Sequence, residues 1–162
     1  MAAAFSTETR VDALRTEGAG VSSNARLLLR TDGASRGNPG PAAAGIVIER
    51  ADGTLLARGK KYLGRLTNNQ AEYQALILGL KAVAARSPAS VAVYMDSELI
   101  VKQMNGEYRV KDTALRPLFE EARSLVSALP AVSFTHVRRG FNTLADALAN
   151  EALDEEAKRA RG

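Results

Sequence analysis

A chain of 162 residues, 46% of them hydrophobic, is long enough for one domain with a buried core and too short for two ordinary ones. Its 22 basic and 18 acidic residues leave a net charge of +4, a balance that suits a polyanionic partner without naming one. The absence of cysteine excludes disulfides, thiolate metal sites and thiol nucleophiles, and no apolar run approaches the ~18 residues of a membrane span, so a cytoplasmic protein without a membrane partner is expected.

Residues 1–24 mix Ala, Ser, Thr, Gly and charges with few bulky apolar side chains, which predicts a flexible N-terminal extension ahead of one domain over 25–162. Strand-like segments follow at about 25–33, 42–50 and 55–64, with Ala51-Asp52-Gly53-Thr54 as a hairpin turn between the second and third. The spacing then becomes helical from Asn68 to Arg86, with Leu76, Gly79, Leu80 and Val83 on one stripe and Ser87-Pro88 ending it. Val91 to Met95 has the length of a short buried strand, Asp96-Ser97 opens a helix reaching Met104, and Asn105-Gly106 stops it. A helix over Thr113–Ala128, a strand over Val132–Val137 and a helix over Asn142–Arg161 complete the chain. Helices alternating with strands in the second half predict an α/β fold: a mixed five-stranded sheet, strands 1, 4 and 5 parallel, strand 2 antiparallel, flanked by helices. Ligands of such sheets collect at the carboxyl ends of the parallel strands.

Two acids occupy those ends. Asp32 follows the apolar run Leu27-Leu28-Leu29 and opens a Gly/Pro-rich loop, and Asp96 follows Val91 to Met95. Each has an ordinary alternative, Asp32 as a turn initiator and Asp96 as a helix N-cap. Glu72 lies on or beside the buried stripe of its helix, where an unpaired carboxylate costs several kcal/mol and needs a cation or strong donors. Asp146 sits beside the stripe of Ala145, Leu148, Ala149 and Ala152, although an acid in a first helical turn is common. Together the four would surround one point, where like charges repel unless a divalent cation neutralises them. Oxygen ligands without Cys suit Mg²⁺ or Mn²⁺ rather than zinc. Two such ions about 4 Å apart would serve phosphodiester hydrolysis, one activating water and the other stabilising the leaving oxygen.

The segments Thr31-Asp32-Gly33-Ala34-Ser35-Arg36-Gly37-Asn38-Pro39-Gly40-Pro41, Thr67-Asn68-Asn69-Gln70-Ala71-Glu72, Met95-Asp96-Ser97 and Asn142-Thr143-Leu144-Ala145-Asp146-Ala147-Leu148-Ala149-Asn150 resemble, in order and spacing, those of ribonuclease H type 1. The resemblance covers about residues 25–155. It implies a ribonuclease H-like fold and a metal-dependent endoribonuclease that cleaves the RNA strand of RNA/DNA hybrids, leaving 5′-phosphate and 3′-hydroxyl ends. Asp32, Glu72, Asp96 and Asp146 fall on the family's metal-binding, catalytic carboxylates. Ser35, Asn38, Asn68 and Glu98 look placed to read the 2′-hydroxyl edge of the RNA strand, and Thr67 and Asn69 resemble its phosphate and loop contacts. Thr67 and Asn68 equally suit a helix cap. A monomer is expected.

Two departures from the family pattern stand out. Many bacterial members carry a catalytic His in a flexible loop before the last Asp. His136 has the right distance, but Val137-Arg138-Arg139-Gly140-Phe141-Asn142 looks more like the branch in which Arg takes that place, so Arg139 is favoured for the role over His136. The basic, Trp-containing protrusion that grips the DNA strand in the best-known bacterial type is replaced by Gly106 to Asp112, which leaves Arg109, Lys111, Lys60 and Lys61 as candidates for that contact. Weak binding and low processivity are expected. Some relatives in this compact branch also cut double-stranded RNA, which stays open for this chain. A DNA nuclease or strand transferase on the same scaffold, and an inactive hybrid-binding domain, are the alternatives.

Overall fold

The computed structural model describes residues 25–162, and the extension expected over residues 1–24 lies outside them. Five strands, β1 (Arg26–Ser35), β2 (Gly40–Arg50), β3 (Leu55–Leu66), β4 (Ser90–Met95) and β5 (Val132–His136), form one sheet in the order β3-β2-β1-β4-β5. Among the described residues four helices accompany them: α1 (Asn68–Ala84), α2 (Glu98–Met104), α3 (Arg116–Ser127) and α4 (Thr143–Arg161), the last entered through a 3₁₀ turn at Arg139–Phe141. β1 pairs antiparallel with β2 and parallel with β4, β2 pairs antiparallel with β3, and β4 pairs parallel with β5, which is the mixed sheet expected from the order of elements. Among the described residues no helix is long and apolar enough to cross a membrane.

Alternation along β1 divides its side chains between the two faces. Leu27 and Leu29 join the main core with Tyr73, Leu76, Leu80 and Val83 of α1. Ala34 packs on the opposite face with Ala43, Ala152 and Leu153, where α4 lies. The α4 side is lined by small residues because the helix comes very close to the sheet. A Cβ added at Gly45 of β2 would overlap the Ala145 carbonyl, and one at Gly33 of β1 would overlap the backbone of Ala71. These two glycines let α4, with Asp146, and the N-terminal part of α1, with Glu72, approach the strands around Asp32. Gly45→Ala is therefore expected to destabilise by about 1–3 kcal/mol, lowering the thermal midpoint by about 3–10 °C. An unchanged midpoint in a calorimetric scan would contradict this seating of α4.

Several boundaries differ by one to three residues from the sequence expectation, among them the following. β1 runs on to Ser35 instead of ending at about 33, because its Gly/Pro-rich continuation turns back as a hairpin: Ser35 pairs with Ala42, and Arg36 N–H donates to the Pro41 carbonyl at 2.8 Å. α3 starts at Arg116 instead of Thr113, since Asp112 Oδ1 accepts from Ala114 N–H at 2.8 Å and holds a turn ahead of it. β5 stops at His136, one residue early.

Candidate active site

Parallel pairing of β1 with β4 ends at Arg30 opposite Tyr94, so Asp32 and Asp96 both lie just past the last paired residues. Beyond that point β4 no longer covers β1, and the Gly33 N–H donates to Glu72 Oε1 at 3.2 Å. This bond draws a helix carboxylate to the strand end. Asp32 and Glu72 are each only 5% exposed. With Asp96, they offer oxygens that all lie within 4.8 Å of one another. Asp146, in the first turn of α4, adds a fourth carboxyl close enough to act on Asp32, and Asn150 Nδ2 donates to Asp146 Oδ1 from one turn along at 3.3 Å.

Burial, followed by repulsion from Glu72, Asp96 and Asp146, pushes the Asp32 carboxyl up to about 9. Burial, then Asp96, raises Glu72 to about 8, against the opposing pull of the Gly33 N–H and the Arg139 guanidinium. Acids crowded into a dry site in this way attract a cation. Asp96 Oδ2 is buried without a hydrogen-bond partner, an acceptor that a cation would satisfy. The donor set, carboxylate oxygen throughout, fits a hard divalent ion.

The other expected site residues are distributed around this cluster. The hairpin turn and the α1 N-terminus are joined where Asn68 N–H donates to Asn38 Oδ1 at 3.0 Å, leaving both side chains exposed. Ser35 Oγ donates to the Leu66 carbonyl at 3.1 Å and lies against the carbonyl of Gly37. Thr67 is the N-cap of α1: its hydroxyl accepts from Gln70 N–H at 3.2 Å while Gln70 Oε1 accepts from Thr67 N–H at 2.8 Å. The cap uses the hydroxyl as an acceptor and leaves its proton free to donate. Asn69 follows, half-buried, in the first turn. Glu98 is exposed at the start of α2, paired with Lys102 at 3.2 Å.

Arg139, exposed in the 3₁₀ turn, stands close enough for its charge to act on Glu72. His136 ends β5 opposite Met95. Of the four cations considered for the DNA strand, Arg109 and Lys111 are exposed, whereas Lys60 is held by Glu151 and Glu155 of α4, each at 2.7 Å. The charge of Lys60 thus ties β3 to α4.

Sequence reasoning passed over Asn142. It precedes α4 as an N-cap residue would, yet its side chain makes no capping bond. Buried to 1% exposure, it donates instead from Nδ2 to the Thr31 carbonyl at 2.9 Å, next to Asp32. Its only signal in the sequence was its place in the segment that leads to Asp146.

A mixed five-stranded sheet with acids gathered past the ends of its parallel strands defines an α/β protein with a carboxylate cluster that could hold a cation. A family model described as reverse transcriptase-like matches residues 30–152. Ribonuclease HI of Halobacterium salinarum is 49% identical over 124 residues, covering 76% of this chain and 62% of that protein. The bifunctional protein Rv2228c of Mycobacterium tuberculosis is 44% identical over 136 residues, 83% of this chain but 37% of that protein. The structure of its N-terminal RNase H domain superimposes with a TM-score of 0.81 at 43% identity, covering 85% of this chain and 99% of the domain. LC11-RNase H1, solved in complex with an RNA/DNA hybrid, aligns with a TM-score of 0.78 at 40% identity, covering 81% of this chain and 99% of that one. The chain belongs to the ribonuclease H type 1 family. It spans less than two thirds of the length of the haloarchaeal and mycobacterial relatives.

Proposed function

We propose that this chain is an endoribonuclease that hydrolyses the RNA strand of RNA/DNA hybrids and leaves 5′-phosphate and 3′-hydroxyl ends. The observation that carries the reading is the Asp32, Glu72, Asp96 cluster, with its unpartnered Asp96 Oδ2, in a chain of this family. A related enzyme solved with a hybrid supports the substrate class. Residues 25–162 act as the catalytic domain, in a monomeric cytoplasmic protein.

Asp32, Glu72, Asp96 and Asp146 would hold two Mg²⁺ or Mn²⁺ ions. When bound, such ions supply Lewis-acid stabilisation of charge at phosphorus and a more acidic water. The protein's own share is placement. The hairpin turn and the α1 N-terminus, joined through Asn38 and Asn68, present Ser35, Asn38, Thr67, Asn68 and Asn69 as one polar rim beside the carboxylates. Small donors of this kind meet the 2′-hydroxyls and phosphates of an RNA strand in a shallow minor groove, and Glu98 supplies an acceptor. Asn38 Oδ1 is engaged by the Asn68 N–H, so the Asn38 amide group is the part left to donate outward.

Arg139 fills the place of the loop His. A guanidinium does not give up its proton in this pH range, so Arg139 assists as a fixed positive charge and donor, not as an acid–base group. Arg139→Ala is therefore expected to lower kcat by about 100-fold with little change in KM. His136→Ala should stay within about twofold of wild type, and the reverse ranking would return the role to His136.

The assignment is tested with labelled RNA/DNA, RNA/RNA and DNA/DNA duplexes, each with Mg²⁺ and with Mn²⁺. Cleavage of the RNA strand of the hybrid is expected. Preference for the DNA duplex would overturn the assignment in favour of a DNA nuclease, and tight hybrid binding without turnover in favour of a binding domain.

A further inference from the structure

The 3₁₀ turn that carries Arg139 has no buried residue, and the Phe141 side chain is 71% exposed. Apolar burial therefore does not fix the turn, and its polar anchors must. Both involve β1, at the two residues that lead to Asp32. Asn142 Nδ2 donates to the Thr31 carbonyl at 2.9 Å, and Arg30 Nη1 donates to the Phe141 carbonyl at 3.1 Å.

Arg30 is itself held from two further directions. Its Nε donates to Glu49 Oε1 of β2 at 3.1 Å, with both side chains partly buried. Its guanidinium lies 4.8 Å from the ring centre of Tyr94 on β4, the residue it faces in the parallel register. Two residues further along the chain from Arg30 and from Tyr94 come Asp32 and, just past the end of β4, Asp96. Arg30 thus joins β1, β2 and β4 one pleat below the carboxylates and extends its remaining edge to the turn above. A planar fork with several donors can hold Glu49 and the Phe141 carbonyl at once, which a lysine ammonium cannot do with the same geometry.

We propose that Arg30 is a positioning residue for Arg139: locked by Glu49 and Tyr94, it pins the Phe141 carbonyl and so sets where the Arg139 guanidinium stands relative to the acid cluster. Its kinetic consequence rests on the hydrolase reading above; its structural consequence does not.

The test pairs backbone amide hydrogen exchange with steady-state kinetics on a labelled hybrid, for wild type, Arg30→Met, Arg30→Lys, Arg139→Ala and the Arg30→Met/Arg139→Ala double variant. In Arg30→Met the amides of Phe141 and Asn142, which close the turn onto Arg138 and Arg139, should exchange at least about tenfold faster. Its kcat should fall by about 10-fold to 100-fold with KM within about twofold. Arg30→Lys should recover part of both losses. The double variant should be no slower than Arg139→Ala alone, because Arg30 acts through Arg139. Unchanged exchange at Phe141 and Asn142, or losses that multiply in the double variant, would overturn the proposal. Should Arg30→Met fail to fold, Arg30→Lys and Glu49→Gln carry the same comparison. Faster exchange in a protein whose wild type cleaves nothing would support the anchor and overturn the activity assignment instead.

Discussion

Asp96→Asn is expected to lower kcat on an RNA/DNA hybrid by at least about 10³-fold while leaving the fold intact. Asn has the shape of Asp but lacks the charge, and it replaces one carboxylate oxygen with an amide that donates. At this position Asp96 Oδ2 is buried with no partner, inside a cluster whose oxygens lie within 4.8 Å of one another. The variant removes an anionic ligand where cation binding and transition-state charge are both concentrated, so the loss should appear in kcat and kcat/KM together. Stability should not fall, because one like charge leaves a crowded site. A circular dichroism melt run beside the cleavage assay separates the effects: full activity, or inactivity through unfolding, would contradict the role given to Asp96.

The second large effect is a stability that depends on pH and on divalent cation. Burial and mutual repulsion raise Asp32 from 3.8 to about 9 and Glu72 from 4.5 to about 8 in the absence of a cation. Between those unfolded and folded values the native protein retains protons that the unfolded chain has lost. The slope of unfolding free energy against pH is then negative, and the metal-free protein weakens as pH rises from about 4 towards 8. One pKa unit corresponds to about 1.4 kcal/mol, so a loss of at least about 2 kcal/mol, or roughly 5 °C in thermal midpoint, is expected between pH 5 and pH 8. Mg²⁺ or Mn²⁺ should restore the midpoint more at pH 8 than at pH 5. Asp32→Asn, which removes the most shifted carboxyl, should flatten both dependences. A metal-free midpoint that rises across this window, relative to Asp32→Asn, would contradict the arrangement.

The parts of this fold that could be read along the chain are those set by local pattern. Period-two strands, the helical stripe of Leu76, Leu80 and Val83, and a carboxylate straight after an apolar strand are all visible without knowing what packs where. Asp32 and Asp96 were therefore recognisable one at a time, and their convergence followed from the parallel order of β1 and β4. Features that depend on a distant partner were hidden. The Gly-rich end of β1 looks like loop by composition, yet pairing with β2 keeps it extended to Ser35. Lys60 looks like a free surface cation until α4 brings Glu151 and Glu155 to it. Thr67 fits a cap and a substrate contact equally well in sequence, and the capping box with Gln70 is what the fold adds. The bonds that tie Arg30 to the Phe141 carbonyl and Asn142 to the Thr31 carbonyl join residues more than a hundred apart in the chain. Gly33 and Gly45, which permit the approach of both acid-bearing helices, look like ordinary strand glycines until the helices are in place.

The central claim is that Asp32, Glu72, Asp96 and Asp146 form one cation site on which cleavage of a hybrid's RNA strand depends. It is tested most directly by incubating the protein with an RNA/DNA hybrid labelled at the RNA 5′ end, first with chelator and then across a titration of Mg²⁺ and Mn²⁺. The predicted result is no cleavage in chelator, cleavage of the RNA strand that rises with either cation, and 3′-hydroxyl ends on the labelled products. Cleavage that persists in chelator, or an intact RNA strand at every cation concentration, would contradict it.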